Sequence, residues 1–106
     1  MSDGYNGWSN YETWNVALWM DNDGSDAYWR ECAEQCAEDT DEDDDVETRK
    51  NDATLALADM LKAQHEEAMP EVTGTFADLL GAALGQVNWY EIASHILDAA
   101  EVESLK

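Results

Sequence analysis

The sequence predicts an all-α fold, a compact bundle of about five short helices forming one acidic domain over residues 1–106. Three observations predict it. Apolar residues recur at the three- and four-residue spacing of helices, and no stretch alternates with the confidence of a strand. Helix-opening patterns, in which Ser, Thr or Asn precedes an acid by three residues, stand before the apolar runs at Ser9 and Glu12, Thr75 and Asp78, and Asn88 and Glu91. The chain is 44% hydrophobic, with five Trp and four Tyr, although 25 acids against five Lys and Arg leave a formal net charge of −20. Acidic disordered segments are poor in apolar and aromatic residues. This chain therefore folds, with an unusually negative surface.

The elements follow in order. Ser9 as N-cap and Glu12 at the third helical position open a first helix that runs to about Asn22 and stops at Asp23-Gly24. Tyr11, Trp14, Ala17 and Leu18 fall on one side of it and Val16, Trp19 and Met20 on nearly the opposite side, so one side is free for a partner unless the helix is central. Before it, Tyr5-Asn6-Gly7-Trp8 reads as a turn that packs aromatics over this helix. Ser25 or Asp26 caps a second helix through about Glu38, with Trp29, Cys32, Ala33, Cys36 and Ala37 inward. The run from Thr40 to Asp45 is too acidic to pack and reads as a solvated loop or frayed helix end. In the third helix, Val46, Ala53, Leu57, Met60, Leu61 and Ala68 form one stripe, and Pro70 bars its continuation beyond about Met69. A fourth, short apolar helix is capped by Thr75 and ends at Gly85. Asn88 caps the last, where Trp89, Ile92, Ala93, Ile96, Leu97 and Ala100 lie within about 140° of arc.

Charge bounds the class of partner. A body of −20 repels nucleic acid and anionic membranes and attracts basic surfaces, including grooves that themselves bind DNA or RNA. Residues Met1 to Gly7 have no basic or apolar leader pattern, and no run approaches the ~18 apolar residues of a membrane span. The expectation is a protein of the cytoplasm, here the interior of a host cell, binding neither membrane nor nucleic acid directly.

The sharpest constellation is acidic. Glu31, Glu34, Glu38, Asp41 or Glu42, and Asp45 keep to about 100° of one helix face if the helix extends that far. Their carboxylates would step by ~5 to 6 Å along the axis, close to the spacing of phosphates along one nucleic-acid strand. Such a row imitates a phosphate backbone; the plainer reading is the solvated face of a halophilic protein. Like charges at this spacing cost ~0.2 to 0.5 kcal/mol per pair, so the row needs either salt or a partner. Asp41 to Asp45 lacks the spacing and the Gly of a calcium loop. Cys32, Cys36, His65 and His95 could bind zinc as donor types but have no zinc-site spacing, and the cysteines read as small buried hydrophobes. No phosphate-cradling loop or nucleophile elbow is present, so neither an enzyme nor a cofactor is expected. Gly81-Ala82-Ala83-Leu84-Gly85 has the form that permits close helix contact. Trp19 and Trp29 are the candidate aromatic anchors for a partner, with Met20 beside Trp19.

Two segments, Tyr5-Asn6-Gly7-Trp8-Ser9-Asn10-Tyr11-Glu12-Thr13-Trp14-Asn15-Val16 and Val87-Asn88-Trp89-Tyr90-Glu91-Ile92-Ala93, resemble the opening and closing signatures of a family of short uncharacterised proteins from phages, plasmids and mobile elements. They cover about a fifth of the chain and leave the acidic middle unmatched. The resemblance carries over no site residues. It implies a context in which small proteins are often counter-defence factors, some of the acidic ones being DNA mimics that block restriction or CRISPR enzymes.

The expected function is therefore inhibition of a basic nucleic-acid-binding defence complex of the host, anti-restriction or anti-CRISPR in type. Glu31, Glu34, Glu38, Asp41, Glu42 and Asp45 stand in for phosphates in its groove. The alternative is a protein-interaction module of a mobile element or halophile, with acidity as salt adaptation and binding carried by the apolar side of the first helix. Mimicry gathers the acids on one elongated face, whereas adaptation spreads them.

Overall fold

The computed structural model describes residues 7–102. Five helices follow one another: α1 (Tyr11–Asn22), α2 (Asp26–Glu38), α3 (Val46–Glu67), α4 (Thr75–Gln86) and α5 (Trp89–Ala100). The core lies where α2, α3 and α5 meet, each packing against the other two, while α1 packs on α5 and on α4. Leu57, Leu61, Ile92 and Thr13 are its largest fully enclosed side chains, together with Thr54. The radius of gyration is 14.9 Å with extents of 49 × 32 × 24 Å. The bundle is thus longer than the roughly 13 Å that chain length gives for a sphere-like body.

The α2 prediction matches residue by residue, since Trp29, Cys32, Ala33, Cys36 and Ala37 are its buried residues. On α5 the same holds for Trp89, Ile92, Ala93 and Leu97, with Ile96 and Ala100 packed against the core edge. The buried stripe of α3 is shorter than expected. Ala53, Thr54, Leu57, Ala58 and Leu61 are enclosed, whereas Val46, the first residue of the helix, and Ala68, its C-cap, are exposed at its two ends.

The largest departures are in α1 and α4. The N-cap of α1 is Asn10, whose Oδ1 accepts the Thr13 N–H at 2.9 Å, and not Ser9. The seam of α1 runs through Thr13, Val16 and Met20, so the side of Val16 and Met20 is the one sealed, while Trp19 on the same predicted side stays out. Met20 is consequently core, not partner surface. Gly74, at φ 64°, is the N-cap of α4, which displaces Thr75 to the first helical position, and the helix continues past Gly85 to Gln86. No residue of α4 is buried. A Cβ added at Gly81 or Gly85 would meet nothing within 4 Å, so these glycines do not serve a close helix contact among the described residues.

A hydrogen-bonded junction joins the two segments singled out by resemblance. Ser9 N–H and Oγ–H donate to Glu91 Oε1 at 3.1 and 2.8 Å, and Asn10 Nδ2–H donates to the Gln86 carbonyl at 2.7 Å. Asn88 N–H donates to Thr13 Oγ1 at 2.8 Å, while Asn88 Oδ1 accepts the Glu91 N–H at 3.0 Å. Glu91 thus spends its carboxylate on the start of α1 instead of folding back on its own cap. Tyr5 and Asn6 lie outside the described residues. Trp8 packs at the core margin with its ring centroid 4.3 Å from that of His95.

Candidate functional site

The acidic row divides at the end of α2. Glu31, Glu34 and Glu38 are exposed on the side of the helix opposite Trp29, Ala33 and Cys36, as a solvated row should be. Past Glu38 the helical ladder closes: Asp39 N–H still donates to the Gln35 carbonyl, but Thr40 turns tighter and gives both its N–H and its hydroxyl to the Ala37 carbonyl. Asp41, Glu42 and Asp45 therefore do not extend the helical face. They lie in a loop over residues 39–45, where Asp41 Oδ1 accepts the Asp43 N–H at 2.9 Å and the Asp41 carbonyl accepts the Asp44 N–H. Asp45 is also the N-cap of α3. The Thr48 backbone N–H donates to its Oδ1 at 2.7 Å, and this bond, aided by the Thr48 hydroxyl, holds its carboxyl below the usual carboxylate range.

Between Glu31 and Glu47 the chain carries ten acids and no Lys or Arg, so the outer side of α2 and the loop beyond it form one anionic flank. A second row went unread in the sequence. Asp52, Asp59 and Glu66 recur at seven-residue spacing, continue the position of Asp45, and are exposed opposite Ala53, Leu57 and Leu61 on α3. Their spacing was a legible signal. Since α2 and α3 turn their inner sides to one shared core, their outer rows face different directions. The acids cover two flanks and the end that joins them.

Few cations answer them. Arg30 pairs with Asp26 at 3.3 Å and Lys50 with Asp98 at 2.9 Å, all four side chains being about half exposed or more. Asp98, through a hydrogen bond and its charge, pushes the Lys50 ammonium above its ordinary value. Arg49 Nε–H donates to Thr40 Oγ1 at 3.0 Å, tying α3 back to the loop.

The two aromatic candidates differ. Trp29 is 5% exposed and belongs to the core, which corrects its assignment as an anchor: it faces inward on the same stripe as Cys32 and Cys36. Trp19 is 63% exposed on α1, and Phe76 and Leu79 on α4 are 71% and 62% exposed. The sequence marks α4 only as a short apolar helix, and nothing local distinguishes a covered apolar helix from one left open.

A groove of about 320 Å³ opens between α1, α2 and α5, with Trp8, Met20, Asp21, Asp26, Trp29 and Arg30 among its walls and His95 at its α5 side. A second hollow of about 250 Å³ lies by Tyr28, Gln64 and His65. His65 Nδ1 is 2.7 Å from the Leu61 carbonyl, which can only accept, so Nδ1 carries a proton. Its ring lies 5.0 Å from that of Trp89 and 6.3 Å from that of Trp29. Cys32 and Cys36 are buried free thiols, and burial raises the Cys36 pKa. Among the described residues no three His, Cys, Asp or Glu side chains are grouped to hold a metal ion. No described helix is long and apolar enough to cross a membrane.

Fold and surface together define a strongly acidic all-α protein, built on a three-helix core with an outer helix left uncovered. The chain belongs to DUF7249, a family of unknown function, whose model matches residues 1–106. Neither a curated protein nor a solved structure matches it.

Proposed function

We propose that this protein is an acidic decoy from a phage, plasmid or other mobile element that blocks the basic nucleic-acid groove of a host defence complex, of restriction or CRISPR type, inside the host cell. The anionic flank carries the reading. Glu31, Glu34 and Glu38 point outward on α2, and the loop with Asp41, Glu42 and Asp45 extends the charge, with Arg49 the cation that reaches back to it at Thr40. Complementary potential steers such a surface onto a basic groove and repels nucleic acid itself. No covalent step and no cofactor belong to this function.

The test begins with affinity capture from a host carrying restriction and CRISPR systems, followed by competition between this protein and DNA for the complex retained. Competition is expected, and it should weaken as salt rises. Changing Glu31, Glu34 and Glu38 together to Gln should weaken inhibition while leaving the stability of the free protein unchanged or raised, since like charges leave one face.

A second reading rests on Trp19, Phe76 and Leu79, whose exposure is high for large apolar residues, and on the spread of the acids over two flanks, which salt adaptation gives and one elongated mimic face does not. In it the protein is an interaction module, and the acids spread over α2 and α3 are salt adaptation. Trp19→Ala then abolishes partner binding while the triple Gln variant binds normally, an outcome that excludes mimicry.

A further inference from the structure

We propose that the groove between α1, α2 and α5 receives an arginine side chain of the protein partner. This rests on the reading that the partner presents a basic surface, and it names the contact that surface makes. The groove holds about 320 Å³, at the small end of the roughly 300–1,000 Å³ of ligand sites and suited to one long side chain. Its lining combines the partly exposed indole of Trp8, and the small part of the Trp29 indole left uncovered, with the carboxylate of Asp21, which forms no ion pair among the described residues. A guanidinium satisfies both features. It is the cation most often found over indole, and its fork matches a carboxylate. The α2 wall already holds one such pairing, since the Arg30 guanidinium lies 3.3 Å from Asp26.

Charge selects the occupant. At −20 the chain disfavours an anionic ligand and also a second copy of itself, whereas a cationic side chain gains from the field. Position supports the same choice: Asp26, Arg30 and Glu34 succeed one another at four-residue spacing along α2. The groove wall thus leads into the acidic row. A basic segment lying on that row has an arginine within reach of Asp21.

The test uses the full chain labelled with nitrogen-15, titrated with the peptide acetyl-Gly-Arg-Gly-amide and with its citrulline counterpart, a neutral isostere. Saturating shifts are expected at the indole N–H of Trp8 and Trp29 and not at Trp14 or Trp19. The citrulline peptide should bind about tenfold more weakly, the loss of one charge-assisted contact. Asp21→Asn should weaken the arginine peptide several-fold, and more than the triple Gln change at Glu31, Glu34 and Glu38 does. Equal binding of the citrulline peptide, unchanged affinity in Asp21→Asn, or shifts confined to the Glu31–Glu38 row would overturn the proposal. So would butylguanidinium binding as tightly as the peptide, which would make the groove a site for a free cation. Capture of a basic partner that Asp21→Asn leaves intact overturns the groove alone. Shifts at Trp8 and Trp29 in a chain that captures no basic partner support the groove's chemistry and overturn the decoy reading.

Discussion

Thr13 shows how a polar residue becomes core. Its side chain is fully enclosed, yet its hydroxyl accepts the Asn88 N–H, so burial leaves no orphan group. Thr13→Val keeps the shape and deletes the acceptor. It should cost about 1–3 kcal/mol, read as a lower urea midpoint with an unchanged slope. Leu57→Ala removes a fully enclosed side chain from the contact of α3 with α2 and α5, and is expected to cost about 2–5 kcal/mol by the same measurement. Asp45 supplies a pH signature. Its cap bond lowers the folded-state pKa, so its contribution is present above the ordinary carboxylate value and lost as pH falls through the lowered one. In 1 M salt, Asp45→Ala should lower the melting temperature at neutral pH. The gap from the parent should close as pH falls from the ordinary carboxylate value, about 4, through the lowered one.

At the scale of helices, pattern and partner part company. The stripes of α2 and α5 were readable because the buried residues are apolar and the exposed ones charged, which fixes the inward side without knowledge of neighbours. In α1 Trp, Leu, Val and Met surround the axis, and the seam was chosen by the junction of Thr13 with Asn88. α4 is apolar, yet none of its residues is buried, which its sequence alone does not reveal. Its outer side is therefore cheap to change: Phe76→Ser with Leu79→Ser should alter stability by less than about 0.5 kcal/mol each, the ordinary range for surface sites. A loss of several kcal/mol in thermal or urea unfolding would show that α4 packs more closely than its exposure indicates. The acidic flank was legible up to Glu38. Beyond it the acidity of residues 40–45 already read as a solvated loop or frayed helix end, and the chain forms a loop there.

For the molecule as a whole, charge and size set the response to salt. The extents of 49 × 32 × 24 Å compare with a Debye length of about 30 Å at 0.01 M and 10 Å at 0.1 M. At low salt each carboxylate therefore feels acids on the other flank, while at high salt it feels only near neighbours. The melting temperature should climb from 10 mM to 1 M salt. A flat profile would mean that the fold already compensates its charge. Removing the inter-helix pair with Lys50→Met should cost no more than about 1 kcal/mol, because both partners are largely solvated.

Composition and periodicity alone settled that this chain forms helices, which sides of α2 and α5 turn inward, and that the surface is anionic. These are local properties, written in the spacing of apolar and charged residues. Which side of α1 is sealed and why α4 stays open depend on what lies opposite. Burial is a relation between segments distant in the chain, such as Ser9 with Glu91 or Thr13 with Asn88, and only their meeting in the folded bundle fixes it.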